Sequence, residues 1–172
     1  MTTKLNADTV VGGAVVTGDA SGILELQASG NAVITLNPTN ATFNKTLLET
    51  ATVTAAAPSA TQNYDAITQQ VQYFTTSAAN NWTLNVRGSA TVSLNTLMTT
   101  GQSLTIAILT TQGGTAYYQS ALTIDSVSVT PKWQGGTAPT SGNASSVDAY
   151  VLTIIKTGSA TFSAFASQTK FA

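Results

Sequence analysis

The chain has 172 residues, of which 42% are hydrophobic and only 8% charged, and its formal net charge is −1. It holds no cysteine and no histidine, which excludes disulfides, thiolate metal sites and the commonest general base. Its six Lys and Arg are scattered and form no basic patch, so nucleic acid is not an expected partner, and no apolar run approaches the roughly 18 residues of a membrane span.

Ordinary soluble domains carry about 25% charged residues. Here Thr, Ala, Ser and Asn fill that place. Thr is β-branched and suits strands, while Asn, Ser and Gly suit turns. Exposed strand edges are normally blunted by Lys, Glu or Pro. A chain with so few of these is expected to close its sheets, or to bury edges and flat faces in a homo-oligomer.

Met1 to Asn6 is polar and no apolar signal-peptide segment follows, so no secretory signal is expected. Short apolar runs then alternate with glycine breaks. The runs are Val10-Val11, Val15-Val16, residues 23–26 and residues 33–36; the breaks fall at 12–13, 18–22 and 29–31. Runs of this length with such breaks predict strands joined by hairpins. Leu24, Leu26 and Ala28 alternate with Ile23, Glu25 and Gln27, so one face is apolar. The stretch Ala55-Ala56-Ala57-Pro58 predicts a boundary, because the residue before proline is extended and small residues pack little. The expected organisation is therefore a β-stranded attachment or oligomerisation region, 1–57, followed by a larger domain, 58–172.

In the larger domain, residues 64–74 predict a strand with Val71 and Tyr73 on one face. Trp82, Leu84 and Val86 alternate with Thr83, Asn85 and Arg87, which places Arg87 outward, towards solvent or a neighbouring subunit. One helical turn is predicted near Leu94 to Met98. Leu104, Ile106 and Ile108 alternate with Ala107 and Leu109, a strand apolar on both faces and hence central. Asp125-Ser126 predicts a bulge or tight turn between two further strands. Tyr150, Leu152 and Ile154 alternate with Val151, Thr153 and Ile155, and residues 162–167 make the last strand. Many short strands with frequent turn signals predict an all-β fold, an antiparallel, jelly-roll-like β-sandwich.

Catalytic chemistry finds little footing. A Ser or Thr nucleophile needs an adjacent base, and no G-x-S-x-G elbow occurs. Asp65, Asp125 and Asp148 are the carboxylates available in the larger domain for an acid/base pair of glycosidase type. Asp125 reads better as a turn former and Asp148 as a cap before a strand. No calcium-loop spacing occurs, and Gly113-Gly114 and Gly135-Gly136 lack the Lys that a phosphate loop requires. The expectation is a non-enzyme with no cofactor, no metal site and no membrane association.

Binding character concentrates in residues 130–143, a long loop for a compact domain. Trp133, flanked by Lys132 and Gln134, has the chemistry to stack on a sugar ring and hydrogen-bond its hydroxyls. The alternative is that Trp133 anchors the loop on the sheet edge. Tyr117-Tyr118 predicts one ring inward and one outward, with Tyr118 a candidate subunit contact alongside Arg87.

Two stretches carry a resemblance. Residues 16–30, Val-Thr-Gly-Asp-Ala-Ser-Gly-Ile-Leu-Glu-Leu-Gln-Ala-Ser-Gly, resemble the N-terminal element of bacteriophage tail-fibre-like proteins. Residues 128–139, with the Trp-Gln-Gly-Gly stretch, and residues 165–171 are similar to a C-terminal module of virion structural proteins of phages of aquatic bacteria, cyanophages among them. The resemblance implies a homotrimeric, β-structured virion component whose partners are itself, other tail or capsid proteins, and a host surface glycan. It carries over no catalytic residue. Tail fibres are usually longer, so a capsid decoration (cement) protein is the alternative that the short chain leaves open.

Overall fold

The computed structural model describes residues 23–171. Among these the chain is built from strands, with one four-residue α-helix and one short 3-10 turn, so the all-β expectation holds. It groups into two compact units, Met1–Leu48 and Glu49–Ala172. The strands expected at Val10-Val11 and Val15-Val16, and the breaks at 12–13 and 18–22, lie outside the described residues.

In the first unit β1 (Leu24–Ala28), β2 (Asn31–Leu36) and β3 (Ala41–Phe43) form one antiparallel sheet. Ser29 and Gly30 join β1 to β2 with positive φ at both, 52° and 76°, the two-residue hairpin whose twist matches the strands it connects. Register places Leu24 opposite Leu36, and Leu26 and Phe43 both opposite Ile34. Cross-strand partners share a face, so this sheet has one apolar face. Leu24, Leu26, Leu36 and Phe43 are all exposed.

The second unit holds β4 (Ala51–Thr54), β5 (Thr61–Asp65), β6 (Val71–Phe74), β7 (Trp82–Arg87), α1 (Leu94–Leu97) and β8 (Ser103–Thr111). β9 (Gln119–Ile124), β10 (Val127–Ser128), β11 (Lys132–Trp133), β12 (Val147–Gly158) and β13 (Thr161–Phe171) follow. They form a four-stranded sheet, β10-β9-β7-β5, and a six-stranded sheet, β11-β13-β12-β8-β6-β4.

The antiparallel expectation is met only in part. From β4 to β9 consecutive strands alternate between the two sheets, so each pairs with the strand two along: β4, β6 and β8 run parallel in one sheet, and β5, β7 and β9 in the other. A parallel pair requires a crossover connection, and here a strand of the other sheet supplies it. The long pairings β8–β12 and β12–β13 are antiparallel. The single strand expected over residues 64–74 is two strands, β5 and β6, in different sheets, because residues 66–70 carry the chain across. The Ala-Pro stretch has the same cause. β4 pairs with β6, so residues 51–54 belong to the larger unit, and residues 55–60 cross from one sheet to the other, with Pro58 buried. The division between units falls between Leu48 and Glu49.

Both sheets feed one core. Tyr64, Trp82, Leu84, Val86, Leu122 and Ile124 of the four-stranded sheet join Phe74, Ile106, Ile108, Tyr150, Leu152 and Ile154 of the six-stranded sheet in one buried cluster. Burying each such side chain stabilises by roughly 1.5–3 kcal/mol. Trp82 and Tyr150 meet edge to face across the two sheets, with ring centroids 5.6 Å apart, a preferred aromatic geometry. β8 lies between β12 and β6, the central position its two-sided apolar pattern predicts.

Candidate functional site

Residues 127–138 bridge the edges of the two sheets. Asp125 and Ser126 have φ of 50° and 67° and turn the chain tightly from β9 into β10, with Val127 opposite Ile124. The amide of Val129 still donates to the Leu122 carbonyl at 3.0 Å. After Pro131 the chain joins the other sheet, where Lys132 pairs with Phe165 and Trp133 with Ala166 in parallel register. One segment thus pairs with the edge of each sheet over two residues, which shortens the open hydrogen-bonding row on both. Gly135 and Gly136, with φ of 75° and 78°, then reverse the chain in a conformation that L side chains rarely adopt.

Register decides where the side chains go. Trp133 shares the inward face with buried Ala166 and packs partly buried on the core, as an anchor. It also remains a wall of three surface grooves. The largest, about 580 Å³, is lined by Ser120, Leu122, Ser128, Val129 and Ala138 among others. A second, about 320 Å³, includes Lys132, Val151 and Phe165, and a third, about 280 Å³, includes Gln134, Thr137 and Gln168. Lys132 lies on the outward face with its Nζ 5.4 Å from the Phe165 ring centroid, within cation–π range. Lys132, Trp133 and Gln134 therefore sit together. The aromatic wall is bordered by a mixed lining, the hydroxyl and amide groups of Ser120, Thr137 and Gln168 beside apolar Leu122, Val129 and Phe165.

Tyr118 and Arg87 are not part of this cluster. Tyr117 and Tyr118 are both partly buried against the core, so the expected division into one inward and one outward ring is not what the chain adopts. The backbone of Tyr118 is held on both sides, its amide donating to Asn81 Oδ1 and its carbonyl accepting from the Trp82 amide. Arg87 lies at the opposite end of β7, roughly 16 Å along the strand from Trp82 at about 3.3 Å per residue. There its Nε donates to Asp65 Oδ1 at 2.6 Å. That hydrogen bond raises the Arg87 pKa further above its ordinary value.

The other two carboxylates also have structural occupations. Asp125 is the turn former expected, and its carboxylate accepts the amides of Leu94 and Asn95 at 2.6 and 2.9 Å. Asp148 does not precede a strand but lies within β12, fully buried. Its Oδ2 accepts Gln112 Nε2 at 3.1 Å and the Asn143 amide at 3.0 Å, and Oδ1 has no hydrogen-bond partner among the described residues. Burial raises its pKa, opposed by those hydrogen bonds and by Lys170. Lys156, overlooked in the sequence, is also buried in β12 and donates to the carbonyls of Asn95 and Met98 at 2.6 and 2.8 Å. The available signal was the alternation of β12, which puts Asp148 and Lys156 on the same face as Tyr150, Leu152 and Ile154.

Comparison with protein-family models, with curated proteins and with solved structures finds no match to this chain.

Proposed function

We propose that the chain is a non-enzymatic structural protein of a virus particle: a short, homotrimeric tail-fibre or receptor-binding component. The observation that carries the adhesion part is the position of Trp133, a common wall of three surface grooves that Ser, Thr and Gln side chains line together with apolar Leu122, Val129 and Phe165. Shallow sites of this kind bind weakly, and several copies held together multiply weak contacts into firm attachment. The finer reading of the larger unit as a β-sandwich is supported by the single core to which both sheets contribute. The absence of a catalytic role is supported by the occupations of Asp65, Asp125 and Asp148 as ion-pair partner, helix cap and buried hydrogen-bond acceptor.

Attachment to the rest of the particle falls to the first unit, whose apolar sheet face of Leu24, Leu26, Leu36 and Phe43 is exposed. The same feature favours the second reading, a capsid decoration protein that docks its N-terminal strands on the head. Immunogold electron microscopy of purified particles, with an antibody to the larger unit, separates the two. Label on the tail supports the fibre reading, label over the head replaces it with the decoration reading, and particles without label overturn both. For adhesion, Trp133→Ala is expected to fold and to lose cell adsorption; unchanged adsorption would remove the groove from the reading.

A further inference from the structure

The two sheets of the larger unit have very different outer faces. On the four-stranded sheet, Asn63, Asn85 and Thr123 form a hydrogen-bonded ladder across three strands, with side-chain bonds of 2.8 and 2.9 Å. The Asp65–Arg87 ion pair stands beside it. Asn85 is itself buried, its Oδ1 also accepting the Ser126 amide, and polar, mutually hydrogen-bonded residues occupy this face.

The outer face of the six-stranded sheet bears a cross-strand hydroxyl pair, Thr105–Thr153 at 3.1 Å, but no ion pair among the described residues. One row across its outer face reads Val53, Tyr73, Leu109, Ala149 and Thr169. The next reads Ala51, Val71, Ala107, Val151 and Ser167. A third brings Thr105, Thr153 and Phe165 into line, with Lys132 at the edge. Lys132 is the one charged residue on these rows, and its ammonium is turned onto the Phe165 ring. Val53, Val151 and Phe165 are 65%, 38% and 42% exposed.

From this we infer that the outer face of the six-stranded sheet is the surface through which copies of this chain associate. Three features select a second copy as the occupant. The first is size: six strands at about 4.8 Å spacing, averaging about seven residues of about 3.3 Å each, cover roughly 670 Å² in projection. That approaches the roughly 800 Å² that each partner contributes to a stable interface. The second is charge. A face with charges of one sign repels its own copy, whereas this one has a single cation already engaged by an aromatic ring, so nothing opposes self-contact. The third is relief. Ala, Val, Ser and Thr make a low, even surface on which neighbouring copies can pack closely around a common axis, each face meeting both neighbours of a trimer, and interfaces between identical subunits are the more apolar ones. Contact here would close the groove between Lys132 and Phe165 and leave the larger groove beside Ser120 and Ala138 open.

This inference rests on the assembly proposed above, and the experiment separates the two. Sedimentation of the full chain is expected to give an oligomer. Val151→Lys, at the middle of the face, is expected to reduce it to the mass of one chain with an unchanged circular dichroism spectrum. Thr61→Lys, on the outer side of the other sheet, should leave the oligomer intact. An oligomer indifferent to Val151→Lys overturns the choice of face alone; a monomeric parent chain overturns the assembly reading together with it. Should Val151→Lys fail to fold, Val151→Cys supplies a single thiol in a chain without cysteine. A short bifunctional maleimide should then link copies covalently, and an intact oligomer that does not cross-link overturns the face.

Discussion

Asp125 and Lys156 hold opposite ends of the same one-turn helix. Asp125, in the turn after β9, accepts the first amides of α1, and Lys156, near the end of β12, donates to carbonyls of its last turn. Each charge has the sign that the helix dipole favours at that end. A four-residue helix has almost no internal hydrogen bonding to sustain it, so these two side chains and the Ser93 cap define it. One residue comes from each sheet, and α1 is thereby tied to both.

Lys156→Met should therefore destabilise the larger unit by about 2–3 kcal/mol, because it strips a charged donor from two carbonyls at once. Asp125→Asn keeps one acceptor and should be milder, about 1–2 kcal/mol. Urea midpoints of the two variants, compared at equal slope, check both the sizes and their order.

Asp148 gives the chain a pH dependence of definite sign. Its pKa is raised by burial, so the native state holds the proton to higher pH than the unfolded chain does. Stability is then greatest below the ordinary aspartate pKa, about 3.9. It falls as pH rises from there through the raised folded value, with a slope of up to about 1.4 kcal/mol per pH unit. Above that the penalty is constant. Asp148→Asn keeps the shape and removes the charge, so it should raise the melting temperature at pH 7 and flatten the profile above pH ~4. Thermal melts of both chains from pH 4 to 8 measure this, and parallel profiles would sink it.

Position 142, ahead of the turn into β12, has no room for a side chain. A Cβ on Gly142 would stand 2.3 Å from the Tyr117 carbonyl oxygen and 2.6 Å from Asp148 Oδ2, whereas one on Gly114 meets nothing within 4 Å. Gly142→Ala is expected to destabilise by more than about 3 kcal/mol, since backbone must move, and Gly114→Ala by less than about 0.5 kcal/mol. Chemical denaturation of the pair tests the contrast.

Much of the strand content was legible in the amino-acid order. The two-residue alternations of β7, β8 and β12, the turn at Asp125-Ser126 and the single helical turn after Ser93 all follow from local rules. So does the largely irregular backbone of residues 130–143, because Pro and Gly around a Trp mark such a segment. None of these requires knowing what lies across the sheet.

What the sequence by itself determined, then, is β structure and the inward faces of β7, β8 and β12, because side-chain period and turn chemistry act over a few residues. Which strands become neighbours was decided only by the tertiary structure. Alternation along a strand is the same for a parallel and an antiparallel partner, so the winding of β4 to β9 between two sheets left no local mark. For the same reason the Ala-Pro stretch read as a boundary rather than a crossover, and residues 64–74 as one strand. The partners of Asp65, Asp125 and Lys156, and Gln112 beside Asp148, were hidden likewise, since each lies 22 or more residues away along the chain. The outer face with its single charge at Lys132 appears only when residues from β4, β6, β8, β11, β12 and β13 are brought into register, for no single strand carries enough of it to be seen.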